Sequence, residues 1–336
     1  MTKRTFSAVA TSSILALLAA CGGGGGAVGS ASDSNPTQGN NVADSSMVAG
    51  ITTPSYADGS EEQAAFNRLN NERRSCGFGT LKQDTRLDQA ARAHADWMLQ
   101  NSVFSHTESA AYPNGFTGIN PWDRSAFAGY PITYYTSELI SFGSNATKAG
   151  RGDKGVRELL AGVYHAIGSL RPLKDVGISV RAPAEVGRST VLVPTVIVTG
   201  TTNGYQMLAS DEVVTYPCQG TTGTEYQLTD EDPNPVPGRN LGTAPLGQPI
   251  IVMVRLGQTL SLTAASMQRV SDGQPVVIRT PVTGAADPNG RLANDPQIGY
   301  VLPDGPLLPN TAYRVSISGT NNGAAFQKTF TFTTGS

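Results

Sequence analysis

The chain has 336 residues, a formal net charge of -2 at pH 7 and 15% charged residues. This length exceeds one typical domain, so two folded units with tails are expected. The near-neutral charge provides no basic surface, which argues against nucleic acid as a partner because phosphate binding needs clustered Lys and Arg. The 38 glycines and 21 prolines favour β-rich domains with many turns over a helical bundle.

Residues 1–20 are predicted to be an export signal. Lys3 and Arg4 precede an apolar run, AVATSSILALLAA, which is too short for a stable transmembrane helix. The run closes as LAAC at residues 18–21, which resembles the lipobox of bacterial lipoproteins, in which the cysteine is lipidated and becomes the first mature residue. The alternative is ordinary cleavage after Ala20, which would leave a free thiol. An acylated Cys21 would anchor the protein to a membrane, and we expect the bacterial cell envelope, with the outer membrane preferred.

Residues 21–58 are rich in Gly, Ser, Asn and Asp and are predicted to form a flexible tether, because they cannot bury enough apolar surface to fold. With Cys21 lipidated, Cys76 and Cys218 remain as an even pair. In an oxidising compartment they would form a disulfide that stabilises the fold by roughly 4 to 5 kcal/mol in the chain-entropy model. Two reduced, buried thiols are the alternative.

Two helices are predicted at the start of the folded region. Ser60 and Gln63 form a capping box for a helix that ends at Gly77. A second helix begins after Asp84 or Thr85 and reads TRLDQAARAHADWMLQN. His94 lies on the apolar stripe of this helix and is expected to be structural, whereas His106 follows the helix end.

A third helix is predicted over DKGVRELLAGVYHAIGSL, with its apolar stripe towards the core. Glu158 and His165 lie on the opposite side, with the small residues Ala161 and Gly162 between them. This side either lines a cleft or is a plain solvated face. The valine-rich runs VGISV and STVLVPTVIVTG follow and are predicted to be strands, so the region is of the α+β class.

The order of five short motifs resembles the bacterial branch of the CAP superfamily, also called SCP-like extracellular domains. The motifs are FNRLNNERR, LDQAARAHADWMLQN, FSHT, SELI and YHAIGSLRPLKDVGISV. The resemblance implies an α-β-α sandwich with a cleft lined by two histidines and two acidic residues. Members of this family have been associated with metal binding, with sterol or fatty-acid binding and, in a few cases, with proteolysis, so the fold alone implies no single activity.

The resemblance also implies the cleft residues. His106 matches the first family histidine, Glu138 matches the acid of a Gly-Glu-Asn motif and His165 matches the second histidine. The flanking Gly and Asn of that motif are absent, and Ala166 replaces an Arg that often follows the second histidine. The second acid has no clear match.

Glu158 is a candidate for that second acid and Glu72 a weaker one, while Glu108 is expected at the rim of the cleft. His106 is predicted to face His165, with Glu138 orienting one of the two rings.

Two imidazoles and a carboxylate suit either a divalent-metal site, for example zinc bound by His106 and His165, or an acid/base pair. No G-x-S-x-G, Walker, H-E-x-x-H or C-x-x-C motif is present. The favoured hypothesis is therefore a lipid-anchored protein that binds a small hydrophobic ligand or an envelope component in the cleft. A metal-dependent hydrolase acting on peptide or cell-wall material, with His106, Glu138 and His165 as catalytic residues, and an adhesion module without cleft chemistry are the alternatives.

The C-terminal part is predicted to be a separate unit. Residues 231–246 are rich in Pro and Gly and read as a linker between a CAP domain at 59–230 and a β-sandwich at 247–336. Apolar and polar residues alternate around Leu260 and Tyr313, and Phe330 continues this period after the turn SGTNNG, which predicts a terminal hairpin. The ending resembles bacterial Ig-like domains, which implies a spacer or adhesive role.

Overall fold

The computed structural model describes residues 44–132 and 134–336. The predicted signal, Cys21 and the tether up to residue 43 lie outside the described residues. The prediction of a flexible tether is wrong for residues 44–58, because Ser45–Ser46 pairs with Gln206–Met207 and the side chains of Ile51 and Tyr56 pack against the core. The described residues belong to one compact unit. No helix within it is long and apolar enough to cross a membrane.

The helices lie in the N-terminal half of the described chain. They are α1 (Glu61–Ser75), α2 (Thr85–Asn101), α3 (Pro121–Phe127), α4 (Arg151–Ala161) and α5 (Val163–Leu170). The predicted starts of the first two helices are confirmed, since the Ser60 side chain accepts a hydrogen bond from the Gln63 N–H and the Asp84 side chain accepts one from the Arg86 N–H. These bonds satisfy backbone donors that have no partner within the helix.

The prediction of one continuous third helix is wrong. Gly162 has φ -81° and ψ 146°, which is extended backbone, so the chain leaves the α-conformation after Ala161 and begins α5 at Val163. Glu158 and His165 therefore lie on different helices. They do not share one helix face, contrary to the prediction from the periodicity.

The strands form several sheets. They are β1 (Ser45–Ser46), β2 (Lys82–Gln83), β3 (Tyr135–Gly143), β4 (Asp175–Val180), β5 (Val193–Thr201), β6 (Gln206–Met207), β7 (Val213–Tyr216), β8 (Thr222–Thr224), β9 (Ile250–Val254), β10 (Leu260–Arg269), β11 (Val282–Thr283), β12 (Ile298–Val301), β13 (Ala312–Asn321) and β14 (Ala324–Thr334). The valine-rich runs VGISV and VPTVIVTGT are strands, as predicted.

An α-β-α sandwich is built on the sheet with strand order β2-β4-β5-β3. Helix α2 packs its apolar stripe against one face, where Leu87 and Met98 share a buried cluster with Val196 and Val198. Helices α1, α4 and α5 pack against the other face with Ile197. Strand β5 is buried along its whole length because both faces of the sheet are covered by helices.

Two four-stranded sheets form the C-terminal part, with strand orders β11-β12-β9-β7 and β10-β13-β14-β8. They face each other across a buried cluster that includes Val252, Tyr313 and Phe332. The predicted terminal hairpin is present, since β13 pairs with β14. Asn322 and Gly323 form its turn with positive φ values of 49° and 88°, which suit a tight hairpin.

The predicted domain boundary at residue 230 separates strands that belong to the same sheet. Strand β7 pairs with β9 and β8 pairs with β14, although both β7 and β8 precede that boundary. The other face of the sheet that contains β9 packs against helices α4 and α5. Ile251 and Met253 of β9 share one buried cluster with Leu160 and Ile167 of these helices. Strand β9 is therefore apolar at every position, and one core joins the two parts of the chain.

The segment predicted to be a linker, residues 231–246, contributes buried side chains. Glu231, Leu241 and Leu246 are each no more than 6% exposed. This segment is packed against the first part of the chain instead of separating two units. The predicted disulfide between Cys76 and Cys218 is present, and it joins the end of α1 to the turn between β7 and β8.

Candidate functional site

The first half of the site is the pair of His106 and Glu138. His106 lies in the loop after α2, and its Nδ1 is 3.0 Å from Glu138 Oε1 on strand β3. The Glu138 side chain is 1% exposed and the His106 side chain 45% exposed. A buried carboxylate thus holds the inner nitrogen of a half-exposed imidazole. Because a carboxylate accepts hydrogen bonds, Nδ1 carries a proton and Nε2 points outward.

The second half of the site is the pair of His165 and Glu231. His165 is the third residue of α5, and its Nδ1 is 3.2 Å from Glu231 Oε1. The carboxylate also accepts the backbone N–H groups of Val163, Tyr164 and His165 at 2.7, 2.7 and 3.2 Å. The Glu231 side chain is 0% exposed, so this residue is at once the N-terminal cap of α5 and the partner of its histidine.

The two imidazoles face each other. Their ring centroids are 6.3 Å apart and their planes differ by 27°. Within the described part of the chain, neither Nε2 atom has a hydrogen-bond partner, while both Nδ1 atoms are held by carboxylates. The two imidazole rings are therefore held in place, and their Nε2 atoms are available to a ligand.

Buried polar side chains form hydrogen bonds with Glu138 and with the loop that carries His106. Arg124 Nη2 of α3 donates to Glu138 Oε2 at 2.8 Å and to the His106 carbonyl at 2.9 Å. His94 Nε2 lies 2.8 Å from the Ser105 carbonyl and its Nδ1 lies 3.0 Å from Glu108 Oε1. His94, the histidine expected to be structural, is thus fully buried, and its hydrogen bond to Ser105 holds the loop that carries His106.

The same network sets the protonation state of Glu138. Burial raises the pKa of this carboxyl, but the charges of His94 and Arg124 and the hydrogen bond with His106 outweigh burial and lower its pKa to about 2. Glu138 is therefore ionised at neutral pH. An ionised Glu138 is what keeps Nδ1 of His106 protonated.

The other acidic candidates have other partners than His106 and His165. Glu158 pairs with Arg151 at 2.8 Å and accepts a hydrogen bond from Ser141 at 2.6 Å. Glu72 pairs with Arg68 at 2.9 Å. Glu108, expected at the rim, is instead 2% exposed and bound to His94.

Glu231 is the acidic partner of His165 in the cleft, and it was not among the residues predicted from the sequence. It lies 66 residues after His165, in a polar turn sequence that resembles a linker, so no periodicity or motif connects the two residues. Only the packing of residues 231–246 against α5 brings them together. A pair of this kind has no signal in a single sequence.

The residues of the cleft do not fit a catalytic metal. Both carboxylates are engaged behind the imidazoles, which leaves two imidazole nitrogens as ligands, whereas catalytic zinc sites use three protein ligands. Among the residues that the structure describes, no group of three or more His, Cys, Asp or Glu is arranged to hold a metal ion. The predicted zinc site at His106 and His165 is therefore incomplete in its ligands.

Apolar side chains are exposed beside the cleft. Helix α3, whose Arg124 binds Glu138, exposes Trp122 and Phe127, which are 41% and 72% accessible. Ile119 precedes the helix and is 53% accessible. These three exposed side chains are together called the α3 apolar surface. Exposed on or just before the helix that supports Glu138, these side chains are available to contact a bound molecule.

A groove lies elsewhere, in the C-terminal part. Its volume is about 580 Å³ and its lining includes Val236, Ile278 and Tyr300. Neither cleft histidine lines it, and its lining contains no histidine or cysteine. The groove therefore has room for a ligand but lacks the preoriented nitrogens of the cleft.

Comparison with known proteins identifies one family. The model of the cysteine-rich secretory protein family, CAP, matches residues 66–156. This range contains His106 and Glu138 but ends before His165 and Glu231. The chain thus carries a CAP family domain in this range. No curated protein matches the chain.

Solved structures give only distant similarity. An outer surface protein from Borrelia burgdorferi is 15% identical over 45% of this chain and 100% of its own, with a TM-score of 0.34. The copper resistance protein PcoC from Escherichia coli is 18% identical over 36% of this chain and 94% of its own, with a TM-score of 0.21. Similarities this weak carry no functional argument.

Proposed function

We propose that this protein is an exported envelope protein whose CAP domain binds a small ligand between His106 and His165. The observation that carries the proposal is the pair of facing imidazoles, each with Nδ1 held by a buried carboxylate and Nε2 directed away from it. Such nitrogens accept hydrogen bonds from hydroxyl or amide groups when neutral, and donate to anionic groups when protonated. They therefore suit the polar end of an amphipathic ligand.

The α3 apolar surface contacts the apolar end of such a ligand. Trp122 and Phe127 are carried by the same short helix that supplies Arg124 to Glu138, so this surface and His106 are held by one element. A ligand with a polar head and an apolar body, or an envelope component of this kind, matches the pairing of a polar cleft with exposed aromatic side chains. The ligand class is thus a small amphipathic molecule of the cell envelope.

Binding is favoured over metal-dependent hydrolysis for a structural reason. Hydrolysis by zinc needs three protein ligands and an open position, and the cleft offers two imidazole nitrogens. Location in the bacterial envelope through a lipidated Cys21, with the outer membrane preferred, is part of the same proposal and rests on the sequence of residues 1–21.

Native mass spectrometry of the detergent-solubilised full-length protein, incubated with a lipid extract of bacterial envelopes, tests the proposal. The wild-type protein should retain an adduct, and the His106→Ala/His165→Ala variant should retain at least about tenfold less. Glu158→Gln is the matched control, because Glu158 pairs with Arg151 away from the histidines. Equal retention by all three proteins would favour the adhesion alternative and overturn the proposal.

A further inference from the structure

The break between α4 and α5 is bridged by side chains from the C-terminal part of the chain. Gln248 Nε2 donates to the carbonyl of Leu160, in the last turn of α4, at 2.8 Å. Glu231 accepts the first three N–H groups of α5. Both are buried, so residues beyond 230 satisfy backbone groups on each side of the break.

Gly162 at this break allows Glu231 to come close. A Cβ atom at residue 162 would lie 2.7 Å from Glu231 Oε1 and 3.3 Å from His165 Nδ1. Since φ of Gly162 is -81°, its backbone conformation does not require glycine. The requirement is steric: any side chain here would push the carboxylate away from the histidine.

Further hydrogen bonds join α5 and its C-terminal end to residues 287–295. The Tyr164 hydroxyl donates to Asp287 Oδ1 at 2.6 Å and accepts a hydrogen bond from Asn289. Just beyond the helix, the Arg171 guanidinium makes two hydrogen bonds to the Asp295 carboxylate. Residues 231–295 therefore contribute to the orientation of α5, and with it to that of His165.

We infer that Glu231 is a positioning residue of the two-histidine cleft, and that the C-terminal part of the chain is a component of the binding site and not a spacer. The inference rests on the proposed function in taking the cleft as the site of binding. Glu231 fixes the ring of His165 with its proton on Nδ1, so that Nε2 lies on the side of the ring away from the carboxylate. Glu138 does the same for His106 from within the CAP domain, so the cleft is composite.

The protonation pattern of the rings distinguishes positioning from simple helix capping. A residue that only caps α5 would affect stability and leave the tautomer of His165 unchanged. A positioning carboxylate holds His165 in the Nδ1–H form, and its loss lets the Nε2–H form appear. Because the chain contains three histidines, the imidazole region of a ¹⁵N spectrum is simple to assign.

The experiment is long-range ¹H–¹⁵N NMR of the full-length, ¹⁵N-histidine-labelled protein in detergent micelles, without added ligand. Wild-type His165 should show only the Nδ1–H form in its neutral state, and Glu231→Gln should show a substantial Nε2–H fraction. The Glu138→Gln variant should change the signals of His106 and leave His165 unchanged.

Gln248→Leu is the matched control for stability. It removes the hydrogen bond to Leu160 at the same helix break, so it should lower Tm while His165 keeps the Nδ1–H form. If wild-type His165 is already in the Nε2–H form, the inference is overturned, even when Glu231→Gln fails to fold. Since no ligand is present, this result is independent of whether the cleft binds envelope lipids.

Discussion

His106 and His165 face each other with ring centroids 6.3 Å apart, and each Nδ1 is held by a carboxylate from a different part of the chain. Glu138 belongs to the sheet of the CAP domain, whereas Glu231 follows that domain and is buried against α5. The arrangement gives two nitrogens of similar character on opposite sides of one cleft, and its consequences can be measured separately.

Metal removal should not abolish ligand binding. Because the cleft offers two imidazole nitrogens, a divalent cation is not expected to be held tightly enough to organise the site. Adduct retention in native mass spectrometry should stay within about twofold after dialysis against EDTA. Loss of the adduct in EDTA, with recovery on adding Zn²⁺, would instead support the metal-dependent alternative.

Acid should destabilise the protein through Glu138. Its pKa is lowered to about 2 in the folded protein, below the ordinary value of 4.5, so its stabilising contribution is present above about pH 4.5 and lost as the pH falls towards 2. The pKa difference corresponds to about 3 kcal/mol. Urea unfolding between pH 6 and pH 2 should show this loss in the wild type and a smaller one in Glu138→Gln. The exposed Glu212, changed to Gln, should behave as wild type.

The disulfide should contribute strongly to stability. Cys76 and Cys218 are separated by 142 residues in sequence, and in the chain-entropy model a loop of this length stabilises the folded state by roughly 4 to 5 kcal/mol. Cys76→Ser/Cys218→Ser should lower the free energy of unfolding by this amount in urea. Dithiothreitol should lower the stability of the wild type and leave that of the variant unchanged. Equal stability of the wild type and the variant without reductant would contradict the prediction.

Gly162→Ala should disturb the cleft selectively. The added methyl group would lie 2.7 Å from Glu231 Oε1, and overpacking of this kind costs about 1 to 3 kcal/mol. Gly168→Ala, in the helix that follows Gly162, is the matched control, because its methyl group would meet Leu139 Cδ2 at the same distance and no carboxylate. Both variants should lose stability in thermal unfolding, but only Gly162→Ala should reduce adduct retention. Reduced retention in both would indicate a general effect of α5 packing.

The α3 apolar surface should contribute to ligand binding without contributing to stability. Phe127 is 72% accessible, so Phe127→Ser should leave Tm within about 2 °C of the wild type while lowering retention of envelope lipid several-fold. Val277→Ser is the control, since Val277 is 73% accessible and lies in the C-terminal part. If both variants retain the same amount of lipid, this surface has no part in binding.

Much of the fold follows from local sequence. Ser60 and Asp84 begin helices because their side chains satisfy backbone N–H groups nearby, and Asn322-Gly323 forms a hairpin turn because both residues tolerate positive φ. The cleft residues His106, Glu138 and His165 were found because each lies within a short motif. In these cases the interaction that decides the structure spans few residues or recurs in a known family.

The sequence by itself therefore determined the helix starts, the main strands, the hairpin, the disulfide pairing and three of the four cleft residues. Only the tertiary structure decided that the third predicted helix breaks at Gly162, that residues 231–246 are packed and not a linker, and that Glu231 reaches His165. The physical reason is that these features depend on one another across the chain. The extended backbone at Gly162 exposes N–H groups that Glu231 satisfies from 66 residues away, and no local propensity encodes such a long-range contact.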